Sequence, residues 1–295
     1  MSATRIFVAA IFTSLIAVLG CASPGASGSV PRTTGVGTTG VRTTPVALPA
    51  SMAALGDSIT QAYDATPTKH LLTDQPQLSW STGYAGAKVV NSQYERLVSA
   101  GDSALKTKGH SANYSVSGAK MSALPGQAAQ AVRMKASYVT ILMGANDACT
   151  STIAAMTPVA TFKTEFTSSL TELQKINGVH IFVASIPNLY YLWQLFHKNV
   201  DAEQIWKLGI CQSMLSTKNT NADRQEVLTR VKAFNSVLSS VCATFSDCRF
   251  DKNAVFDYRF SAKQVSSFDY FHPSIAGQVE LAALTWADSF WPKDR

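Results

Sequence analysis

The sequence predicts an α/β domain of three layers, in which helices cover both faces of a mainly parallel central sheet. Three short apolar runs have the length and the continuous character of buried strands, and each ends at glycine or proline. Between and after these runs, apolar residues recur at the helical spacing of three and four. Strands that alternate with helices imply right-handed crossovers and therefore a parallel sheet.

The predicted strands are residues 52–55 before Gly56, 138–143 before Gly144 and 180–186 before Pro187. Helical spacing follows in three later segments, whose apolar positions are Phe162, Phe166, Leu170 and Leu173, then Val227, Val231, Phe234, Leu238 and Val241, and finally, after Pro273, Ile275, Val279, Ala282, Ala283, Trp286 and Phe290. Ligands of open parallel sheets bind beyond the carboxyl ends of the strands, so chemistry is expected in the residues just after each strand.

The composition excludes several classes of protein. Hydrophobic residues make up 46% of the 295 positions and charged residues only 15%, which excludes wholesale disorder and a long charged coiled coil. The net charge of +6 is scattered, and its densest cluster is Lys106-Thr-Lys108. Nucleic-acid binding needs basic residues concentrated on one face, so we expect no nucleic-acid partner.

The first segment has the layout of a secretory signal peptide, which we place at residues 1–20. Arg5 precedes fifteen uncharged, mostly apolar residues, fewer than the about 20 that cross a bilayer as a helix. The run ends Val18-Leu19-Gly20-Cys21, which is similar to the lipobox of bacterial lipoproteins. Two alternatives follow: lipidation of Cys21 with a membrane tether, or ordinary cleavage and release. Both predict an exported protein, extracellular or at the cell surface.

Residues 21–49 are rich in Ser, Thr, Gly and Pro and predict a disordered tether. A formal G-x-G-x-x-G match from Gly35 to Gly40 falls within it, but that pattern indicates dinucleotide binding only between a strand and a helix. The remainder, residues 50–295, has a length typical of one α/β domain.

Four cysteines follow Cys21, and an even number in an exported chain predicts two disulfides with three possible connectivities. Cys242 and Cys248 lie close in sequence around a bend, so we favour a small loop between them, which leaves Cys149 for Cys211. The chain contains no C-x-x-C pair, which argues against a zinc site or a thioredoxin-like motif.

Two segments carry candidate groups for nucleophilic catalysis. Ser58 follows the first predicted strand in Gly56-Asp57-Ser58-Ile59-Thr60, where the turn into a helix projects its hydroxyl from the sheet. Near the other end, Asp269 stands three residues before His272, and Pro273 follows. This spacing lets the carboxylate hold one imidazole nitrogen and leaves the other free to accept a proton from a serine.

Donors for an oxyanion are expected in two other turns. Asn146 follows the second predicted strand within Gly144-Ala-Asn146-Asp147, and its side-chain amide is one candidate. Gly118 offers a backbone N–H that no Cβ shields. The backbone N–H of Ser58 would be the third donor.

Together these blocks resemble the SGNH (GDSL-type) hydrolases, a family named after its Ser, Gly, Asn and His. The four blocks occur in family order and span the chain from Leu55 to the C-terminal helix, with Ile59 in place of the usual leucine. The cysteines and the tail look most like extracellular actinobacterial esterases and lipases. The resemblance implies a flavodoxin-like fold.

The resemblance also implies ester hydrolysis through an acyl-enzyme. Ser58 would attack, with His272 as general base oriented by Asp269, and Ser58, Gly118 and Asn146 would form the oxyanion hole. No metal or organic cofactor would be needed, Asp57 would fix the turn, and we expect a monomer acting on a small-molecule, lipid or glycan ester.

The aromatic segment after the third predicted strand contains candidates for a substrate pocket, namely Tyr190, Tyr191 and Trp193. The alternative is that these rings pack a long loop onto the core, and Trp80 and Trp206 have the same two interpretations. The remaining histidines, His70, His110, His180 and His197, lack catalytic surroundings and are expected to be structural or exposed.

Other functions remain open at this point. A carbohydrate O-deacetylase or an acyltransferase would use the same groups, because water and alcohols compete for one acyl-enzyme. A non-catalytic surface lipoprotein that binds glycan or lipid would fit the tether, but it would have no use for all four catalytic residue types.

Overall fold

A computed structural model describes residues 46–66, 71–86 and 88–292. The predicted signal peptide, Cys21, nearly all of the predicted tether and His70 lie outside the described residues. Residues 46–49, which we assigned to the tether, contact the domain, because the Trp291 indole Nε1 donates to the carbonyl oxygens of Val46 and Ala47 at 3.1 and 3.0 Å.

The described residues form one five-stranded sheet in which every pairing is parallel. Its strands are β1 (Met52–Gly56), β2 (Ser111–Asn113), β3 (Tyr138–Leu142), β4 (His180–Val183) and β5 (Cys248–Phe250). Their order is β2-β1-β3-β4-β5. This is the flavodoxin-like order, which reverses direction between β1 and β3 and so creates a crevice at the carboxyl ends of these strands.

Sequence reasoning found the three central strands and missed the two at the edges. All residues of β1 and β3 are buried, whereas β2 and β5 contain only three residues each, and none of these is fully buried. Short, half-exposed strands carry no continuous apolar run, so this pattern could not predict them.

The third predicted strand extends too far. It ends at Val183 rather than at residue 186, because the backbone of Ile186 hydrogen-bonds to the Asn235 side chain and not to a neighbouring strand. Its Oδ1 accepts from Ile186 N at 2.8 Å, and its Nδ2 donates to Ile186 O at 3.2 Å.

Ten α-helices lie among the described residues. They are α1 (Gln93–Ser99), α2 (Leu124–Met134), α3 (Ala145–Ala148), α4 (Val159–Leu173), α5 (Leu189–Phe196), α6 (Val200–Trp206), α7 (Gln212–Leu215), α8 (Asn221–Cys242), α9 (Ala254–Asp257) and α10 (Ile275–Ala287). The last helix begins two residues after Pro273, because the Ser274 side chain caps it by accepting from Gly277 N at 3.3 Å.

Helices cover both faces of the sheet. Helices α2, α4 and α8 follow strands β2, β3 and β4, and each leads to the next strand in the same direction along the sheet. Helix α4 packs between α2 and α8. The crossover through α1 runs the opposite way, so right-handed connections place α1 on the other face. There Gln93 Nε2 donates to the Thr285 hydroxyl of α10 at 3.0 Å. The predicted three-layer α/β/α architecture is confirmed.

Trp80 and Trp206 are core residues. Their exposures are 0% and 1%. Each indole N–H finds an acceptor, the buried Thr60 Oγ1 at 3.2 Å for Trp80 and the Tyr270 carbonyl at 3.3 Å for Trp206. Of the two interpretations that the sequence allowed for these rings, a pocket wall or core packing, the structure shows core packing.

Two disulfides staple the domain. They join Cys149 to Cys211 and Cys242 to Cys248, the pairing that we favoured from sequence. Within the described part of the chain, no helix is both long and apolar enough to span a bilayer.

Candidate active site

The first strand ends in a turn that requires glycine. Gly56 has φ = +152°, and a Cβ there would meet the Leu142 carbonyl oxygen at 2.4 Å. The close approach of β1 and β3 at this point directs the chain sharply out of the sheet. Asp57 stabilises the turn, since its Oδ1 accepts from Ile59 N at 2.9 Å. Ser58 follows with 7% of its surface exposed.

Ser58, His272 and Asp269 form a continuous line of hydrogen bonds. The Ser58 hydroxyl lies 2.8 Å from His272 Nε2, and His272 Nδ1 lies 2.6 Å from Asp269 Oδ2. The first contact joins residues 214 positions apart in the chain. A carboxylate that accepts from Nδ1–H leaves Nε2 as a base directed at the hydroxyl.

Local backbone bonds orient the acid of this line. Asp269 Oδ1 accepts from the backbone N–H groups of Phe271 and His272 at 2.8 and 3.0 Å. The His272 carbonyl in turn accepts from Ser266 N at 2.8 Å, which closes the segment 266–272 into a compact turn. Tyr270 stands in this turn with φ = +53°.

Two aromatic rings pack against the imidazole. Tyr63 and Phe271 each place a ring centroid 5.0 Å from that of His272, the first tilted by 52° and the second nearly perpendicular. Together they leave the His272 side chain 13% exposed. Sequence reasoning missed Tyr63, because it follows the serine by five residues without any motif of its own.

The predicted oxyanion donors lie on adjoining turns. Gly118 is exposed, has φ = +80°, and has no heavy atom within 4 Å of the position of a Cβ. Asn146 Nδ2 donates one hydrogen to the Ala119 carbonyl at 3.0 Å, which ties the Asn146 side chain to the turn of Gly118. An amide nitrogen carries two hydrogens, so the second is available to a substrate oxygen.

The turn of Asn146 is also built on a required glycine. Gly144 has φ = +123°, and a Cβ there would lie 2.6 Å from Ile186 Cδ1. Asp147 follows Asn146, and its Oδ2 accepts from Met121 N at 2.8 Å, beside the turn that carries Gly118. Two side chains of α3 therefore reach the same neighbouring loop.

Two carboxyl groups beneath the site are deeply buried. Burial raises the pKa of Asp57 to about 7, although the hydrogen bond from Ile59 N and the nearby His272 oppose the shift. Burial also raises the pKa of Asp147, against the hydrogen bond from Met121 N. Asp57 Oδ2 has no hydrogen-bond partner among the described residues. Neither of these carboxyl groups hydrogen-bonds to His272. The carboxyl group that does so is that of Asp269.

An apolar cavity with a volume of about 60 Å³ lies beside this line of groups. Of the three pocket candidates from the sequence, only Tyr191 lines it. Tyr190 and Trp193 turn away: Tyr190 OH donates to Asn221 Oδ1 at 3.0 Å, and the Arg224 guanidinium stacks 4.4 Å from the Trp193 ring.

The reason for this correction is that the aromatic segment is helical. Helix α5 presents its side chains at 100° intervals, so only part of a continuous aromatic run can face one cavity. Sequence reasoning missed the opposite wall, to which Tyr258, Phe260 and Phe271 contribute. These residues lie far from α5 in the chain and share no motif with it.

The other described histidines lie elsewhere. His110 Nδ1 lies 2.9 Å from the Ala50 carbonyl, His180 stacks on Trp291, and His197 packs against Trp193. None of the three is hydrogen-bonded to Ser58 or Asp269.

A known protein family matches most of the chain. Residues 52–285 match the family described as GDSL-like lipase/acylhydrolase. No curated protein matches the chain.

Several solved structures are similar in fold. The acetyl xylan esterase AlAXEase has a TM-score of 0.48 and 13% identity, over 80% of this chain and 98% of that chain. LAE5, an α/β hydrolase enzyme from the metagenome of Lake Arreo, Spain, has a TM-score of 0.49 and 13% identity, over 81% and 94%. The extracellular lipase from Streptomyces rimosus has a TM-score of 0.43 and 14% identity, over 80% and 99%.

Proposed function

The chain belongs to the family of GDSL-like lipases and acylhydrolases, and from this premise we propose that it hydrolyses carboxylic esters through an acyl-enzyme on Ser58. The observation that supports the proposal most strongly is the line of hydrogen bonds from Asp269 through His272 to the Ser58 hydroxyl, at 2.6 and 2.8 Å. A serine is a weak nucleophile alone and needs an adjacent base that a third group orients.

In the first half of the reaction, Ser58 Oγ attacks the ester carbonyl while its proton passes to His272 Nε2. The Asp269 carboxylate stabilises the imidazolium that forms. The carbonyl oxygen gains negative charge, which the N–H groups of Ser58 and Gly118 and the Asn146 amide stabilise in this proposal. The C–O bond to the alcohol then breaks, and His272 gives its proton to the departing oxygen.

In the second half, a water molecule replaces the alcohol. His272 Nε2 takes a proton from this water as the water oxygen attacks the acyl carbon. The same donors hold the oxyanion a second time, and the bond to Ser58 Oγ breaks. The proton returns to Ser58, and the carboxylic acid leaves.

Labelling with a fluorophosphonate probe tests this mechanism. Wild type should react at Ser58, and Ser58→Ala should lose both the labelling and the hydrolysis of nitrophenyl esters. A matched control is Ser239→Ala, which removes an exposed hydroxyl of α8 and should change neither. Labelling that persists in Ser58→Ala would place the nucleophile elsewhere.

We also propose that the enzyme works outside the cytoplasm. The two disulfides support this, because they persist in oxidising compartments. The apolar run that we interpret as a signal peptide supports it as well. Mass spectrometry of the mature protein decides between the two forms: a lipid on Cys21 indicates a membrane tether, and an unmodified new N-terminus indicates release.

A further inference from the structure

The apolar cavity lies next to the proposed catalytic groups. Its lining includes Ile59 next to Ser58, Ala145 next to Asn146, and Phe271 and Pro273 on either side of His272. The lining is thus formed partly by the chain neighbours of three proposed catalytic groups. A cavity bounded by these neighbours is a candidate recess for a substituent of an ester held on Ser58.

The far walls of the cavity are aliphatic and aromatic. Leu189, Leu192 and Leu195 of α5 form one wall, and Tyr258 and Phe260 form another. The Tyr258 and Phe260 rings meet edge to face at 4.8 Å, which fixes that side. Such a lining gains free energy by covering hydrocarbon and offers little to a polar group.

Side-chain amides in the lining are engaged within the protein. Asn188 Oδ1 caps α5 by accepting from Tyr191 N at 3.0 Å. Gln264 Oε1 accepts from Ser261 N at 2.8 Å, and its Nε2 donates to the Tyr258 hydroxyl at 3.0 Å and to Glu280 at 3.1 Å. A sugar ring needs several donors and acceptors to replace its water, and Asn188 Oδ1 and both polar atoms of the Gln264 side chain are already committed.

We infer that this cavity receives the acyl chain of the ester and that the enzyme prefers aliphatic acyl chains of medium to long length over acetyl. The inference rests on the proposed acyl-enzyme mechanism. The acyl group stays attached to Ser58 after the alcohol has left, so a recess beside Ser58 suits the group that remains. An acetyl group would cover less of this apolar lining than a longer chain.

The chain-length dependence of nitrophenyl ester hydrolysis tests the inference. We expect kcat/KM for the octanoyl ester to exceed that for the acetyl ester by at least about 100-fold, because each buried methylene contributes up to about fourfold. A maximum at acetyl would overturn it. So would faster hydrolysis of an acetylated sugar, such as glucose pentaacetate, than of the octanoyl ester.

A second series fixes which side of the ester enters the cavity. Acetate esters of ethanol, hexanol and decanol vary the alcohol and keep the acyl group constant. We expect kcat/KM to vary across this series by less than about threefold. A strong rise with alcohol length, together with a flat acyl series, would assign the cavity to the leaving group and overturn the inference.

Larger side chains in the lining test whether the cavity causes the preference for long acyl chains. Leu192→Trp should lower the ratio of octanoyl to acetyl kcat/KM by at least about tenfold, mainly through KM of the octanoyl ester, because the larger side chain occupies the chain's space. Leu195→Phe provides a second, milder obstruction. The matched control is Leu208→Trp, at a position that is 81% exposed and outside the lining, and it should leave the ratio unchanged.

The outcomes separate this inference from the proposed mechanism. An unlabelled Ser58 with no ester hydrolysed would mean that the mechanism fails. A labelled Ser58 with a preference for acetyl, or a ratio that Leu192→Trp and Leu195→Phe both leave unchanged, would contradict only the acyl-chain inference.

Discussion

The two halves of the candidate site are held in place in different ways. The segment 266–273, which carries the acid and the base, is organised by short-range bonds, since Asp269 orients His272 three positions later. The turn of Asn146 is instead held by distant parts of the chain, namely Ala119, Met121 and Cys211. Local spacing therefore sets the proposed acid–base pair, and tertiary contacts position the proposed oxyanion donor Asn146.

The largest effect is expected from the locally organised half. Asp269→Asn should lower kcat on the order of 10⁴-fold, because an amide nitrogen facing Nδ1 selects the tautomer with its proton on Nε2. The measurement is the steady-state hydrolysis of a nitrophenyl ester. Asp257→Asn, at an exposed position at the end of α9, should leave kcat unchanged. A loss of less than tenfold in Asp269→Asn would show that Asp269 does not orient the base.

The two disulfides offer a direct comparison of distant and local constraints. Replacing Cys149 and Cys211 by alanine opens a loop with a sequence separation of 62 and should cost about 4 kcal/mol in the free energy of unfolding. The same change at Cys242 and Cys248, with a separation of 6, should cost about 2 kcal/mol. Denaturant unfolding measures both values.

The kcat values of the two double variants extend the comparison between the two disulfides. Cys149 ends the turn that carries Asn146, so the first double variant should also lower kcat, whereas the second should not. Equal kcat values in the two double variants would show that the long-range disulfide stabilises the fold without positioning the oxyanion donor.

Removing one donor tests the oxyanion half itself. Asn146→Ala should lower kcat by about 10²–10³-fold with little change in KM, because the lost hydrogen bond forms mainly in the transition state. Asn177→Ala removes an exposed amide beyond α4 and serves as the control. A rise in KM at constant kcat would instead assign Asn146 to substrate binding.

The last comparison concerns Asp57, which lies close enough to both halves to interact with His272 and Asp147. Its pKa rises from 3.8 to about 7 on folding, so the folded state binds its proton more tightly than the unfolded state. The stability that this proton contributes is complete below pH 4 and is lost as the pH rises through about 7.

Asp57→Asn should remove that dependence on pH. An asparagine keeps an oxygen that can accept from Ile59 N but cannot ionise. Between pH 4 and 8, wild type should lose about 4 kcal/mol of unfolding free energy relative to the variant. Parallel stability curves for the two proteins would contradict a raised pKa at this position.

The aromatic residues show where sequence reasoning stopped. A run such as Tyr190, Tyr191 and Trp193 after a buried strand indicates a place near the site but does not indicate which ring faces it. That choice depends on the rotation of α5 and on Arg224, whose guanidinium stacks on Trp193. Arg224 belongs to another helix, so no local pattern contains the information.

The sequence alone determined the parallel α/β architecture, the glycine turns after β1 and β3, and the pairing of Asp269 with His272. Each depends on buried apolar runs or on residues within a few positions of each other, where backbone geometry permits few alternatives. Only the tertiary structure decided the contact of His272 with Ser58 across 214 positions, the link from Asn146 to the turn of Gly118, and the walls of the cavity. These features depend on how separate elements pack, and packing is a property of the whole core.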